Sequence, residues 1–481
     1  MQRSFTSNTK QYRGLKMSYK PSVQSVTRLA TTGSVSANLG ATLFIVSSYN
    51  TKYRTTSYSS MQEVRDDPAV SVNSNTYKGA LTFFQQVGAA VPFYVGRRSA
   101  DDITFTPTTI SNTAEYNFDI QVYDTTTLAG IDYTVSITSD SGATAEEIAT
   151  ALYTEVITTQ AIPDVTGVDN TGSVTFTPAA GHSFVITNTS DNLTESYTTT
   201  ETAATVFGDI LEEAENDFYF VAAEDHSELF VLALAAEVEA SATSDYPKYY
   251  KFSSADPNTL TPLADPAIDL LGKVKEGGYF RTAGDWHHEA DTKFPELAIL
   301  ASMGGKFPGS SSWKFTQLSD VSAAADPVTG KKLKTLKQGY ISDRNGSWMG
   351  EERGVNFYHG GTGAVGTSGW TDIVRGSDWI SDTLEVRLLN LFLNKASSAD
   401  KISFLPADQT LVLNTINGVL SEAVTRKILT GYVQASIKVA PSFGDQVLRT
   451  LDDINWVGYL AGAVHFALVD GVLTYADEAL A

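Results

Sequence analysis

The chain has 481 residues, 42% of them apolar, no cysteine and a formal net charge of −21. Its length exceeds what one hydrophobic core usually supports, so about two to four domains are expected. The missing cysteines exclude a disulfide scaffold, a thiolate zinc site and a cysteine nucleophile; the apolar runs, such as Leu229 to Ala236, fall far short of the roughly 20 residues of a membrane helix; and the acidic balance argues against direct binding of nucleic acid.

The charges are segregated along the chain. Met1 to Gln62 carries eight Lys/Arg and no Asp/Glu, whereas Ser99 to Pro247 carries 26 Asp/Glu and no Lys/Arg. A cationic end joined to an anionic body points towards assembly, with the end resting on another copy or another region. Arg13-Gly14-Leu15-Lys16 can be encoded by a purine-rich run of the kind that precedes bacterial start codons, so Met17 is an alternative start. Nothing near Met1 has the apolar core of a signal peptide, and folding in a reducing cytoplasm is the simplest expectation.

Residues 1–40 are Ser/Thr-rich with little periodicity beyond Val23, Val26 and Leu29, which reads as an extended arm. Residues 41–100 read as an α/β unit. Ala41 to Val46 is a buried strand, Ser60-x-x-Glu63 is a capping box, and Tyr77, Ala80, Leu81, Phe84 and Val87 fall on one helical face. Phe93 to Gly96 returns as a strand. From Asp101 to Thr205 there are 27 threonines in 105 residues, with short β patterns at Tyr116 to Tyr123, Tyr133 to Thr138, Ser173 to Thr177 and Ser183 to Thr187. One helix, capped by Thr144-x-x-Glu147, faces inward through Ile148, Leu152 and Val156. Residues 101–205 therefore read as a β-rich inserted domain.

Strand and helix alternate again over 206–368. Phe218 to Ala222 is a strand, and Ser227 to Ala240 a helix with Leu229, Leu232, Ala233 and Ala236 inward. Tyr249 to Phe252 is a strand; Asp265 and Pro266 open a helix that Gly277-Gly278 closes; Tyr279 to Thr282 is extended, and Glu296 to Met303 helical. In 369–481, Asp382 opens a helix through Leu384, Leu388 and Leu391, and Asp408 opens another through Val412, Ile416, Val419, Leu420 and Ala423. Val433, Ala435, Ile437 and Val439 alternate with polar residues as a half-buried strand. A short helix near Gly444 to Leu451 follows, then a terminal hairpin turning at Asp470-Gly471. The fold class expected is multidomain α/β and α+β: a mixed sheet core covered by helices, with a β-rich insertion and extended arms at both ends.

His287-His288-Glu289 is the cluster that invites a metal-hydrolase alternative, but adjacent histidines diverge on either a strand or a helix, and no metal or other cofactor is expected. His226, His359 and His465 lack a neighbouring carboxylate or serine motif and read as ordinary histidines. The glycine-rich run Gly360 to Gly366 lacks the phosphate-loop ending and reads as a loop between strands. The terminal hairpin offers unpaired backbone groups that add to a sheet, its own or another molecule's. The Thr-rich unit leaves an adhesin as a further alternative.

The run Gly369-Trp370-Thr371-Asp372-Ile373-Val374-Arg375-Gly376-Ser377-Asp378-Trp379-Ile380, followed by a leucine-rich helix with Asn390-Leu391, resembles the C-terminal half of tail sheath proteins of contractile bacteriophages. The ending Leu460-Ala461-Gly462-Ala463-Val464-His465 is similar to that family's Leu-Ala-Gly-Ala-Ile-His, and the capped helix of the Thr-rich unit resembles an insertion common in phage tail proteins. The resemblance implies a structural protein, not an enzyme, that polymerises with itself as stacked hexameric rings around a tail tube and shortens from a metastable state to drive the tube into the host. It also implies contacts with tail tube, baseplate and tail terminator proteins, assembly in the host cytoplasm and a place in the virion, with no membrane contact. By position, Val23, Val26 and Leu29 belong to the N-terminal arm strand, and Val464, Phe466 and Leu468 to the C-terminal one. The helix carrying Asp445 and Arg449 is the tube-facing candidate, and the acidic insertion lies outside. The structural alternative is a tail tube or other tail or baseplate protein, for which the chain is long.

Overall fold

The computed structural model describes residues 38–49, 51–214, 217–243, 247–465 and 467. Strands β1 (Thr42–Val46), β2 (Thr55–Tyr58) and β3 (Phe93–Arg97) come first, with helices α1 (Met61–Asp66) and α2 (Asn75–Phe84) between β2 and β3. Next come β4 (Asp102–Pro107), β5 (Glu115–Asp124), β6 (Gly130–Thr138), α3 (Ala145–Thr154), β7 (Val165–Asn170), β8 (Ser173–Pro178), β9 (His182–Thr187) and β10 (Leu193–Thr198). The chain then runs through α4 (Ala203–Ala214), β11 (Phe220–Ala223), α5 (Glu228–Ala240), β12 (Tyr249–Ser254), α6 (Leu270–Gly277), β13 (Thr282–Trp286), α7 (Ala290–Lys293), α8 (Pro295–Gly304) and α9 (Thr335–Asp343). It ends with β14 (Ser347–Glu352), β15 (Val355–His359), β16 (Thr362–Gly363), β17 (Gly366–Trp370), α10 (Thr371–Ser397), α11 (Pro406–Thr425), β18 (Leu429–Ile437), α12 (Phe443–Leu448) and β19 (Ile454–Leu460).

The body is an eight-stranded sheet in the order β15-β14-β13-β12-β11-β1-β3-β2. Pairing is parallel from β14 across to β3 and antiparallel only at the two edges. Parallel strands need crossovers, and the helices of those crossovers cover both faces. Central strands must then be apolar on both sides, and Thr42–Val46 is buried at every position. Phe44, Phe93 and Leu297 pack on one face with α2, α8 and the C-terminal helices, while Leu43, Ile45 and Val221 pack on the other with α4, α5 and α6.

Residues 102–198 interrupt the crossover from β3 to α4. They form two sheets, β10-β4-β8-β7 and β6-β5-β9, closed by α3. Their hydrophobic cluster is drawn from Ile103 to Leu193 alone, with Phe105 and Phe118 stacked at 4.0 Å. The Thr144 capping box is closed in both directions, and Ile148, Leu152 and Val156 face inward as the periodicity predicts. Three strands here, β4, β7 and β10, carried no sequence expectation; in β4 the apolar Ile103 and Phe105 do alternate with Thr, whereas β7 and β10 have few apolar markers.

Several sequence expectations are corrected. In α2 the deepest ring is Phe83, 4.6 Å from Phe93, while Val87 lies beyond the helix and is 92% exposed. In α5 the inward face is Phe230, Val231, Leu234, Ala235 and Val238, and Leu229 points to solvent. The helix expected from Asp265 begins at Leu270, where the Asp269 carboxylate accepts from the Gly272 N–H at 3.0 Å. Asp269 also pairs with Arg344 at 2.7 Å, both side chains being fully buried. Strand β13 starts at Thr282, later than the extended stretch expected from Tyr279. Asp382 lies inside α10, which starts at Thr371. Ala435 is buried in β18, but Val433 and Val439 are exposed. The Asp470-Gly471 turn lies outside the described residues.

Candidate assembly surface

Helix α10 has two unlike halves. Its first half buries Thr371, Val374, Arg375, Gly376, Asp378, Trp379 and Ile380, whereas Leu389, Phe392 and Leu393 in its second half are exposed. Helix α11 packs beside it and buries Val412, Ile416, Val419, Leu420 and Ala423, the five positions marked by periodicity. Strand β18 lies on α11, where the Asn417 amide oxygen accepts from the Ala435 N–H at 2.8 Å. Among the described residues β18 and β19 pair only with each other, antiparallel from Leu429↔Leu460 to Ile437↔Ile454. A two-stranded ribbon is marginal by itself and keeps an open row of backbone donors and acceptors on each outer edge.

The surface around this ribbon is apolar. Trp456, Val457, Tyr459 and Leu460 on β19 are exposed, and so are Phe443, Val447 and Leu448 on α12. Contiguous apolar surface on a folded chain marks an interaction site. Strand β19 carried no sequence expectation; its apolar residues, Trp456 to Leu460, stand next to the run assigned to the terminal strand.

The expected site residues fall as follows. Val23, Val26, Leu29, Phe466 and Leu468 lie outside the described residues. Val464 is exposed and has no regular secondary structure. Asp445 is occupied at the start of α12, where its carboxylate accepts from the Ser442 N–H at 2.7 Å while the Ser442 hydroxyl accepts from the Asp445 N–H. Those bonds from Ser442 hold the Asp445 carboxyl below its ordinary range. Arg449 closes the same helix in the left-handed conformation, φ 59°, so Asp445 and Arg449 stand at opposite ends of one exposed apolar tip.

His287, His288 and Glu289 do come together, with one ligand-type atom from each within 4.8 Å of the others. However, His287 Nδ1 accepts from the Glu289 N–H at 3.1 Å and Nε2 lies 3.0 Å from the Ser322 carbonyl. Both nitrogens of the buried ring are thus committed to backbone, and burial lowers its pKa. His288 spends Nδ1 on the Ala325 N–H at 3.2 Å. The cluster ties the end of β13 to the 322–325 loop and offers a metal too few free donors for hydrolytic chemistry.

Sequence reasoning missed three polar anchors. His226 is clasped between Asp291 at 2.9 Å and Glu296 at 3.1 Å. Burial pulls its pKa down, but the two carboxylates outweigh burial and push it up to about 10. Arg375 donates to three backbone carbonyls, Leu39 at 2.9 Å, Met303 at 2.6 Å and Gly304 at 2.9 Å. Asp378 accepts from Arg281 at 2.7 Å and 2.8 Å and from the Tyr219 hydroxyl at 2.7 Å. None of the partners is near in sequence, so no local pattern signals them.

This fold is similar to that of chains in two solved structures of a contractile particle. A chain from a cryo-EM structure of the anti-feeding prophage baseplate superposes with a TM-score of 0.52 at 11% identity, over 95% of this chain and 100% of that one. A chain from the helical sheath of the same particle in its contracted state gives 0.52 and 11%, over 95% and 99%. A sheath tail protein from Desulfitobacterium hafniense gives 0.46 and 10%, over 88% and 94%. No protein-family model matches the chain, and no curated protein does. At such identities the likeness is one of fold, and with the first two structures it runs the length of both chains.

Proposed function

We propose that this protein is the sheath subunit of a contractile phage tail. It polymerises as stacked rings around the tail tube and contracts from a metastable extended state to drive the tube through the host envelope. The observation that carries this is the C-terminal ribbon of β18 and β19, whose strands pair only with each other among the described residues and expose large apolar side chains, on a body similar in fold to a solved sheath structure. In this reading, arms from residues 1–40 and from Val464 onward, with Val23, Val26, Leu29, Phe466 and Leu468 as strand residues, extend the ribbon of neighbouring copies. A strand added through four to six hydrogen bonds contributes roughly 0.5–1.5 kcal/mol for each bond. Repeated over many copies, a small difference per subunit between two packings supplies the work without nucleotide hydrolysis.

The tip of α12, flanked by Asp445 and Arg449, faces the tube. Baseplate and terminator proteins meet the two ends of the polymer. The unit of residues 101–205 is an outer decorating domain, which its acidic, base-free sequence suits. Assembly takes place in the host cytoplasm, and the product belongs to the virion.

Negative-stain microscopy of the concentrated full-length protein tests the proposal, with striated tubes expected. Removal of residues from Val464 onward should abolish tubes while leaving the unfolding transition of the subunit in place. A full-length protein that stays monomeric at every concentration, or a truncated one that still polymerises, contradicts it.

A further inference from the structure

The two connectors of the proposed sheath subunit leave the body from one place, the N-terminal half of α10. On the N-terminal side, the first turn among the described residues is Leu39-Gly40. The Arg375 guanidinium takes the Leu39 carbonyl together with those of Met303 and Gly304, the last two being the C-terminal end of α8, where a cation is favoured by the helix dipole. Gly40 and Gly304 meet backbone to backbone; a Cβ on Gly40 would lie 2.6 Å from the Gly304 carbonyl oxygen, and one on Gly304 2.5 Å from that of Gly40. The segment can move there only if Arg375 gives up a buried hydrogen bond.

On the C-terminal side, the Ala461 N–H still donates to the Ile428 carbonyl at 3.0 Å, and Gly462 turns the chain away with φ 58°. His465 then holds the chain against the body through polar and ring contacts, including the Phe315 ring at 6.5 Å. Its Nε2 meets the Ser312 hydroxyl at 2.8 Å, its carbonyl accepts from Lys314 Nζ at 3.1 Å, and its ring stands edge-to-face on Trp370 at 4.6 Å. Trp370 is the N-cap of α10, on the turn before Arg375. This end of α10 is itself fixed beside the central sheet by Tyr249 on Thr371 at 2.8 Å and, two turns on, by Arg281 and Tyr219 on Asp378.

We infer that the N-terminal half of α10 is a shared anchor for both connectors, in which Arg375 positions the N-terminal exit and Trp370 with His465 positions the C-terminal exit. A buried block with side-chain partners on several elements does not deform continuously, so the two connectors keep a fixed mutual geometry and a load on either reaches the same rigid element. This rests on the sheath proposal for the identity of the connectors, whereas the anchoring of His465 does not.

The absence of cysteine allows a direct test. Val464→Cys in the full-length protein takes a single nitroxide label, whose spectral width reports motion of the C-terminal exit. Ser312→Ala and His465→Ala should each narrow the spectrum towards a freely moving label, leave the unfolding midpoint where it was, and raise the concentration needed for tubes, by roughly tenfold for the lost hydrogen bond and by more for His465→Ala, which also loses the ring contact. His465→Gln, which retains a hydrogen-bonding amide, should recover part of both effects. Unchanged spectra in the alanine variants overturn the anchor whether or not tubes form. Narrowed spectra with unchanged assembly overturn its part in connecting subunits. Failure of the unsubstituted protein to form tubes counts against the sheath proposal alone, since the label still reads the anchor.

Discussion

The eight-stranded body and the C-terminal ribbon treat the same residue types in opposite ways. The body hides its apolar strands and holds the charges it buries with groups of its own chain: Arg344 with Asp269, Lys251 with Asp285 at 2.6 Å, Arg281 with Asp378, and Arg375 with three backbone carbonyls. The ribbon and α12 keep Trp456, Tyr459, Phe443 and Leu448 at the surface, and among the described residues the two strands pair with no others. The contrast teaches where each part finds its completion. The body completes its buried ion pairs from its own chain, while in the proposed sheath the ribbon is completed by a neighbouring copy.

The largest effect that tests this contrast lies in the body. Asp269→Ala leaves the Arg344 guanidinium buried beside carbonyls but without its counter-charge, and uncompensated buried charge costs about 3–5 kcal/mol. Urea unfolding should show that loss; a change under about 1 kcal/mol would mean that water reaches the pair and the body is less complete than described.

A smaller effect is expected from pH. The folded pKa of His226 is raised to about 10 by Glu296 and Asp291, above its unfolded value near 6.5. The stabilisation is therefore fully present below about pH 6.5, declines as pH rises, and is gone above about pH 10. The difference in urea midpoint between wild type and His226→Gln should shrink steadily over that window, by the equivalent of a few kcal/mol. A difference that does not vary with pH would show that the ring is neutral in its clasp.

The smallest effect on stability belongs to the ribbon side. Leu448→Asp, at a position 75% exposed, should change unfolding free energy by no more than about 0.5 kcal/mol, yet reduce polymer formed around the tube. If it unfolds the subunit instead, α12 is packed within its own chain and the contrast between the two regions fails there.

Much of the body was legible because its strands are short continuous apolar runs and its caps use ordinary chemistry, as at Ser60 and the pair Gly277-Gly278, and the same holds for Thr144 in the insertion. The Ser60 hydroxyl does accept from the Glu63 N–H at 3.3 Å, though the Glu63 carboxylate turns back to Ser59. Helix faces were less legible. Helix α5, Glu228–Ala240, is apolar nearly all round, so periodicity gives no phase, and only the sheet beneath it selects Phe230 over Leu229. The length of α10 was hidden for the converse reason, since Arg375 and Asp378 make its first half look polar until Leu39, Met303, Arg281 and Tyr219 arrive from other elements. The sheath resemblance rested on this run and on the 460–465 ending, and these two segments meet where Trp370 touches His465.

By itself the sequence determined the alternation of strand and helix, the interruption near residue 100 and its end near residue 200, and the exclusion of thiol chemistry, since these depend on residue type and on periods of 2 and 3.6 that are local. The tertiary structure decided which helix face is inward, that His226 is a clasped cation, that the His287 cluster is committed to backbone, and that Leu39 and His465 both meet the N-terminal end of α10. Each of those depends on partners up to hundreds of residues apart, such as Leu39 and Arg375. Burial makes such contacts strong by removing water, and no local pattern records which distant group takes its place.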